Sequence, residues 1–164
     1  MNDAMLRKSA DQDEITRVLI RYCVALDRME LDELASLFTL DCDVSYGEAP
    51  QLHSRGRQAL RQSLERMWRW SRTSHHLSNV LIDVAADAAS ALSYVLAWHE
   101  RPDGTTATVF GKYHDQLVRV DGLWLIDVRR MVMNGADAGF KVPLHAAGRR
   151  PAPPGWVAPD IDQR

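Results

Sequence analysis

The chain has 164 residues, 46% of them apolar and 26% charged, with a formal net charge of −2. That is an ordinary globular composition at the size of one domain, which argues against wholesale disorder. There is no basic surplus to recruit nucleic acid or an anionic membrane, and no apolar run as long as a membrane helix. The first eleven residues lack the apolar stretch of a signal peptide. Cys23 and Cys42 have no metal-type spacing and read as small buried residues, so a reducing cytoplasm is the expected setting.

The first half reads as helical. Residues 11–27 repeat apolar positions at helical spacing, with Asp11, Asp13 and Glu14 suited to a helix N-terminus. Residues 1–10 are expected to be an N-terminal extension. A shorter helix is predicted over 29–38, with Leu31, Leu34, Leu37 and Phe38 on one face. Residues 42–46 alternate like a short strand, closed by Gly47 and Pro50. Residues 56–70 return to helix, with Ala59, Leu60, Leu64, Met67 and Trp68 as the apolar stripe. Its arginines read as a solvated face.

The second half reads as strands over 75–84, 88–100, 105–119 and 123–134. Asp103-Gly104 and Asp121-Gly122 are the strongest hairpin signals. Helices followed by an antiparallel meander predict an α+β fold: a curved, cone-shaped sheet with helices over a pocket, spanning 11–140. Residues 141–164 include Pro151, Pro153, Pro154 and Pro159 and are expected to form an extended tail on the body or on a neighbouring subunit.

Two polar signals stand out against apolar surroundings. Asp27 ends the first predicted helix, where the negative end of the macrodipole disfavours a carboxylate unless it has a partner. His75 and His76 open an apolar run; on a strand they point to opposite faces, so at most one enters a pocket. A carboxylate and an imidazole that meet can move a proton: the carboxylate orients the ring, and the second ring nitrogen acts as base. Strict alternation places Asn79 with His75. It also places Arg129 with Leu125, Asp127, Met131 and Met133, opposite a core-like set of Trp124, Ile126, Val128, Arg130 and Val132. No metal-ligand spacing surrounds His99 or His114, and no Gly-rich phosphate loop or nucleophile elbow is present, so no cofactor is expected.

Four segments carry a family resemblance: Tyr22-Cys-Val-Ala-Leu-Asp27, Leu34-Ala-Ser-Leu-Phe38-Thr-Leu-Asp41, Ser74-His-His-Leu-Ser-Asn79 and Asp121-Gly-Leu-Trp124-Leu-Ile-Asp-Val-Arg129. Over about residues 10–157 the chain resembles the SnoaL-like group of the nuclear transport factor 2-like superfamily. That group includes polyketide cyclases, scytalone dehydratase and hexachlorocyclohexane dehydrochlorinase. The resemblance implies a catalytic dyad of Asp27 and His75, with Arg129 lining the pocket. Tyr22 stands where the dehydrochlorinase has a pocket lysine, which weakens the case for halide loss. Tyr22 and Tyr46 can instead hydrogen-bond a carbonyl or hydroxyl oxygen.

These readings together predict a cofactor-independent lyase or isomerase, dehydratase- or cyclase-like, acting on a small apolar carbonyl or hydroxyl compound. Asn79 and Arg129 are expected to join Tyr22 and Tyr46 in binding it. Two rivals share the fold: a non-catalytic binding protein, and a small structural subunit of a ring-hydroxylating dioxygenase. The resemblance also implies a homo-oligomer, a trimer ahead of a dimer.

Overall fold

The computed structural model describes residues 3–137 together with 139, 145, 154 and 155. Helix α1 spans Asp3–Asp27. Ile15, Val18, Leu19, Tyr22, Cys23 and Leu26 are its buried stripe, at the 3.6-residue period expected of a helix lying on a sheet. It begins well before the amphipathic pattern does. Residues 5–10 are exposed, and extending a helix into solvent from a formed nucleus needs good helix formers rather than an apolar face.

The end of α1 positions the site. The Glu30 N–H donates to Ala25 O (2.9 Å) and the Met29 N–H to Leu26 O (3.1 Å), and Met29 takes a φ of 56°. This is a Schellman cap with methionine in the left-handed position usually given to glycine. It stops the helix at Asp27 and turns the chain into α2 (Leu31–Ser36), which buries Leu31, Leu34 and Ala35.

Strand β1 (Phe38–Ser45) follows, then a 3₁₀ turn (Pro50–Leu52), the short β2 (His53–Arg55) and α3 (Arg57–Leu64). Neither β2 nor the turn stood out in the sequence, because three residues are too few to show a period. Beyond Leu64 the expected long helix tightens into a 3₁₀ segment, Glu65–Arg69, which buries Met67 while Trp68 is 65% exposed.

Four long strands complete the fold: β3 (Arg72–Ala85), β4 (Ala88–Glu100), β5 (Thr106–Val120) and β6 (Leu123–Ala136). The sheet order is β2-β1-β6-β5-β4-β3. β1 runs parallel to β6, and every other neighbouring pair is antiparallel. Asp121 and Gly122, with φ of 50° and 82°, make the two-residue β5–β6 turn, the conformation for which an Asp-Gly pair is suited. Gly111 admits a close approach: a Cβ there would lie 2.9 Å from Val132 O.

Register shifts interrupt the ladders at Ser78/Leu81 in the β3–β4 pair, and at Phe110/Gly111 and Gln116/Leu117 in the β5–β6 pair. Such bulges bend a strand and reverse which residues face inward. The concave face packs on α1, and one apolar core runs from Ile15 and Leu19 through Phe38, Leu60 and Leu64 to Val109, Leu117 and Ile126. The expected extended tail, 141–164, lies outside the described residues except for His145, Pro154 and Gly155.

Candidate active site

The sheet and helices leave a cavity between them. Its apolar wall includes Leu26, Leu52, Leu64, Ala97, Val109 and Met131; its polar lining is Tyr22, Tyr46, Tyr113, His75, His99, Trp70, Arg66 and Arg69. The first turn of β3 passes the capped end of α1, and there Asp27 and His75 meet. The Asp27 Oδ1–His75 Nδ1 distance is 2.6 Å; the Thr73 hydroxyl donates to Oδ1 (2.7 Å), and the His75 backbone N–H donates to Oδ2 (2.9 Å). Burial raises the Asp27 carboxyl, but the bonds from the His75 ring and backbone and from Thr73 outweigh it and hold the group below its ordinary range. Asp27 is therefore an ionised acceptor, and in the neutral ring the proton sits on Nδ1. The Nε2 lone pair of a cavity-lining imidazole is left as the basic atom. The His75 side chain is 4% exposed. His76 is exposed and bonds Ser74 Oγ (2.9 Å).

Across the cavity the Tyr22 and Tyr46 hydroxyls lie 2.6 Å apart. Two hydroxyls bonded to each other share one proton between them and leave the second free for a ligand oxygen. Burial, reinforced by Tyr46 and Tyr113, drives the Tyr22 phenol well above its ordinary range; burial also raises Tyr46 and Tyr113. All three are therefore neutral donors.

The other two expected binding residues lie elsewhere. Asn79 is exposed at the β3 bulge with a φ of 48°. Inward positions run through His75 and Leu77, then resume at Val80, Ile82 and Val84. Asn79 is the residue that absorbs the phase change, a conformation asparagine tolerates.

Arg129 is fully buried but does not line the cavity. Its Nε and Nη2 donate to Asp115 Oδ1 and Oδ2 at 2.7 and 2.8 Å. Its Cζ lies 4.1 Å from the Tyr22 ring centroid and 4.3 Å from that of Tyr113. The expected inward set on β6 is also corrected. Trp124 and Ile126 are buried, then Arg129 and Met131, because the bulge around Asp127 reverses the alternation.

His99 was missed as a cavity residue. Its Nδ1–H donates to Ala107 O (3.2 Å), its ring meets His75 edge-on at 5.5 Å, and Trp70 lies 4.8 Å away. Burial first, then the neighbouring His75, pulls its pKa down to about 4. A signal existed: Ala91, Ser93, Val95, Ala97 and His99 alternate on one buried face of β4, as Val109, Tyr113, Asp115 and Leu117 do on β5. A polar residue in phase with an apolar face is a buried polar residue.

Burial pushes the Cys23 and Cys42 thiols up to about 12 and about 11, so neither is poised as a nucleophile. Among the described residues no group of three or more His, Cys, Asp or Glu could hold a metal ion, and no helix is long and apolar enough to cross a membrane.

Residues 7–130 match the SnoaL-like domain family. The chain belongs to that family. Among solved structures, a candidate scytalone dehydratase from Novosphingobium aromaticivorans is 33% identical, with a TM-score of 0.82 over 92% of this chain and 100% of that one. A Mycobacterium tuberculosis protein of unknown function is 25% identical, with a TM-score of 0.70 over 79% of this chain and 75% of that one. The hexachlorocyclohexane dehydrochlorinase LinA-type3 from Novosphingobium barchaimii, at 19% identity and a TM-score of 0.72 over 88% and 99% of the two chains, shares the fold. No curated protein matches the chain. This SnoaL-like chain thus has the nuclear transport factor 2-like architecture, a curved sheet with its N-terminal helices packed against it.

Proposed function

We propose that this SnoaL-like protein is a cofactor-independent lyase or isomerase that begins by removing a proton from carbon in a small, mostly apolar carbonyl or hydroxyl compound. The observation that carries the reading is the Asp27–His75 pair at 2.6 Å, with His75 lining an otherwise largely apolar cavity. The likeness to a candidate scytalone dehydratase supports a dehydratase-like course.

For a β-hydroxy carbonyl compound the reaction is an elimination of water. His75 Nε2 takes the proton α to the carbonyl, and the Cα–H electrons form the new double bond. The Cβ–O bond breaks, and the imidazolium returns its proton to the departing hydroxyl, which leaves as water. Asp27 holds the ring and stabilises its charged form. The free proton of the Tyr22–Tyr46 pair meets the carbonyl oxygen as it gains charge. Replacing a lysine by Tyr22 removes a cation that could receive halide, so loss of water, isomerisation or ring closure fits better than loss of chloride.

The test is a screen of enones and β-hydroxy carbonyl compounds with the wild-type protein, His75→Ala and Asp27→Asn, alongside NMR titration of the histidine rings. Turnover lost in both variants, and one histidine pKa that falls in Asp27→Asn, is the expected result. Full activity in folded His75→Ala would sink the mechanism. Saturable binding with unaltered ligand recovered would point to a binding protein of the same fold. The chain is further proposed to self-associate through the outer sheet face, where Leu96 and Phe110 are exposed cross-strand partners. A monomeric mass in light scattering would rule that out.

A further inference from the structure

Among the described residues, Arg66 and Arg69 are the only arginine, lysine or carboxylate side chains lining the cavity. Arg66 stacks over the Tyr46 ring, with its Cζ 5.3 Å from the centroid, and spends Nη1 on Ser63. Its Nε and Nη2 have no partner among the described residues. Arg69 stacks over Trp70 at 5.1 Å and makes no hydrogen bond or ion pair among them. Among the described residues, Arg101 covers the same indole at 4.9 Å and hydrogen-bonds Thr105 and the Gly139 carbonyl, with the Asp103 carboxylate near enough to feel its charge. Trp70 itself is 8% exposed and lines the cavity, yet its Nε1–H has no acceptor among the described residues.

Several other arginines meet a carboxylate, while Arg57 bonds the Phe38 backbone carbonyl instead. Arg61 meets Asp32, Arg72 meets Glu100, Arg119 meets Asp11, Arg129 meets Asp115 and Arg130 meets Asp43. Among the described residues no carboxylate pairs with Arg66 or Arg69, and the cations press on one another: burial first, then Arg66 and Arg101, lowers the Arg69 guanidinium. A buried donor without an acceptor is costly, on the order of 1–3 kcal/mol. Stacked guanidinium planes keep their N–H edges available for a planar anion.

We propose that Arg66, Arg69 and Trp70 form a carboxylate-binding subsite, so that the ligand is an apolar ring or chain bearing a carboxylate remote from the carbon that faces His75. A planar carboxylate suits the guanidinium fork. This deepens the reading of the cavity as the ligand site and rests on it.

The probes are naphthoate and its neutral isostere naphthamide, titrated calorimetrically at low salt, with the His75 ring protons followed by NMR to locate them. Naphthoate should bind at least about tenfold tighter than the amide, a difference of about 1.4 kcal/mol. Added salt should weaken naphthoate alone. In the double variant Arg66→Gln/Arg69→Gln the preference should fall below about twofold, with naphthamide affinity unchanged. Equal affinity in the wild type, or a preference that survives the double variant, overturns the subsite while leaving the dyad reading intact. If neither probe binds and the His75 resonances do not move, both the subsite and the cavity as a ligand site fall.

Discussion

Two of the acid–base pairs among the described residues, Asp115–Arg129 and Asp27–His75, lie at different depths and contrast in almost every respect. Asp115 and Arg129 are both fully buried, with two parallel hydrogen bonds and the rings of Tyr22 and Tyr113 against the guanidinium. Asp27 and His75 sit at a helix end, with Asp27 25% exposed and His75 on a cavity. The sealed pair has a cation that cannot give up its proton in a protein, so it can organise but not exchange. The open pair has an imidazole, a base that can exchange its proton, and presents a second nitrogen to whatever occupies the cavity. Depth and the choice of base, more than pairing itself, separate a structural ion pair from one able to do chemistry.

The sharpest way to break this contrast is to unpair each acid. Asp115→Ala leaves a buried guanidinium with no counter-charge, and should cost about 3–5 kcal/mol of stability in urea unfolding. An apolar double replacement, Asp115→Leu/Arg129→Met, should cost clearly less, because it removes the buried charge with its partner. If the single and double variants unfold alike, the pair is not what organises that wall. At the other pair the effect should appear in rate rather than stability. His75→Ala should lower turnover by about 10²–10⁴-fold with the urea midpoint changing far less than in Asp115→Ala.

Acid should then distinguish the residues around the cavity. Folded His99 takes its proton only near pH 4, against an ordinary value of 6.5. Between those values the unfolded chain holds more protons, so stability falls as pH drops, on the order of 3 kcal/mol across the window. Asp27 acts lower. Its carboxyl lies below the ordinary 3.8, so the stability it contributes is present above that value and is lost as pH falls through the lower folded one. His99→Gln should flatten the stability profile between pH 6.5 and 4 while leaving the decline below 3.8; an unchanged slope would mean His99 is not held neutral. The smallest effect belongs to Asn79. With a φ of 48° on an exposed bulge, Asn79→Ala should cost about 1 kcal/mol and leave turnover unaltered. A large loss of activity would return it to the site.

Much of this was legible in the chain before it folded. The stripe from Ile15 to Leu26 specifies a helix whose last residue is Asp27. Alternation and Asp121-Gly122 specify the last hairpin. Together with the family resemblance, those segments named Asp27, His75 and Tyr22, and the short alternating run over 42–46 offered Tyr46. Local sequence carries such features because helix and strand periods repeat within a few residues. Its reach ended where the phase broke. One extra residue at Asn79 and another near Asp127 reversed the faces of β3 and β6, sending Asn79 to solvent and drawing Arg129 inside.

A bulge depends on how a neighbouring strand pairs and bends, which no short window contains. The partner of Arg129 is likewise set by pairing, since β5 brings Asp115 opposite it in register. The 2.6 Å contact between Asp27 and His75, residues 48 positions apart, required the cap at Met29 to stop α1 where β3 begins. Composition and period decided which elements form and which faces are apolar. Only tertiary packing decided which polar groups meet and how deep each pair lies, because burial and long-range contact are properties of the assembled layers.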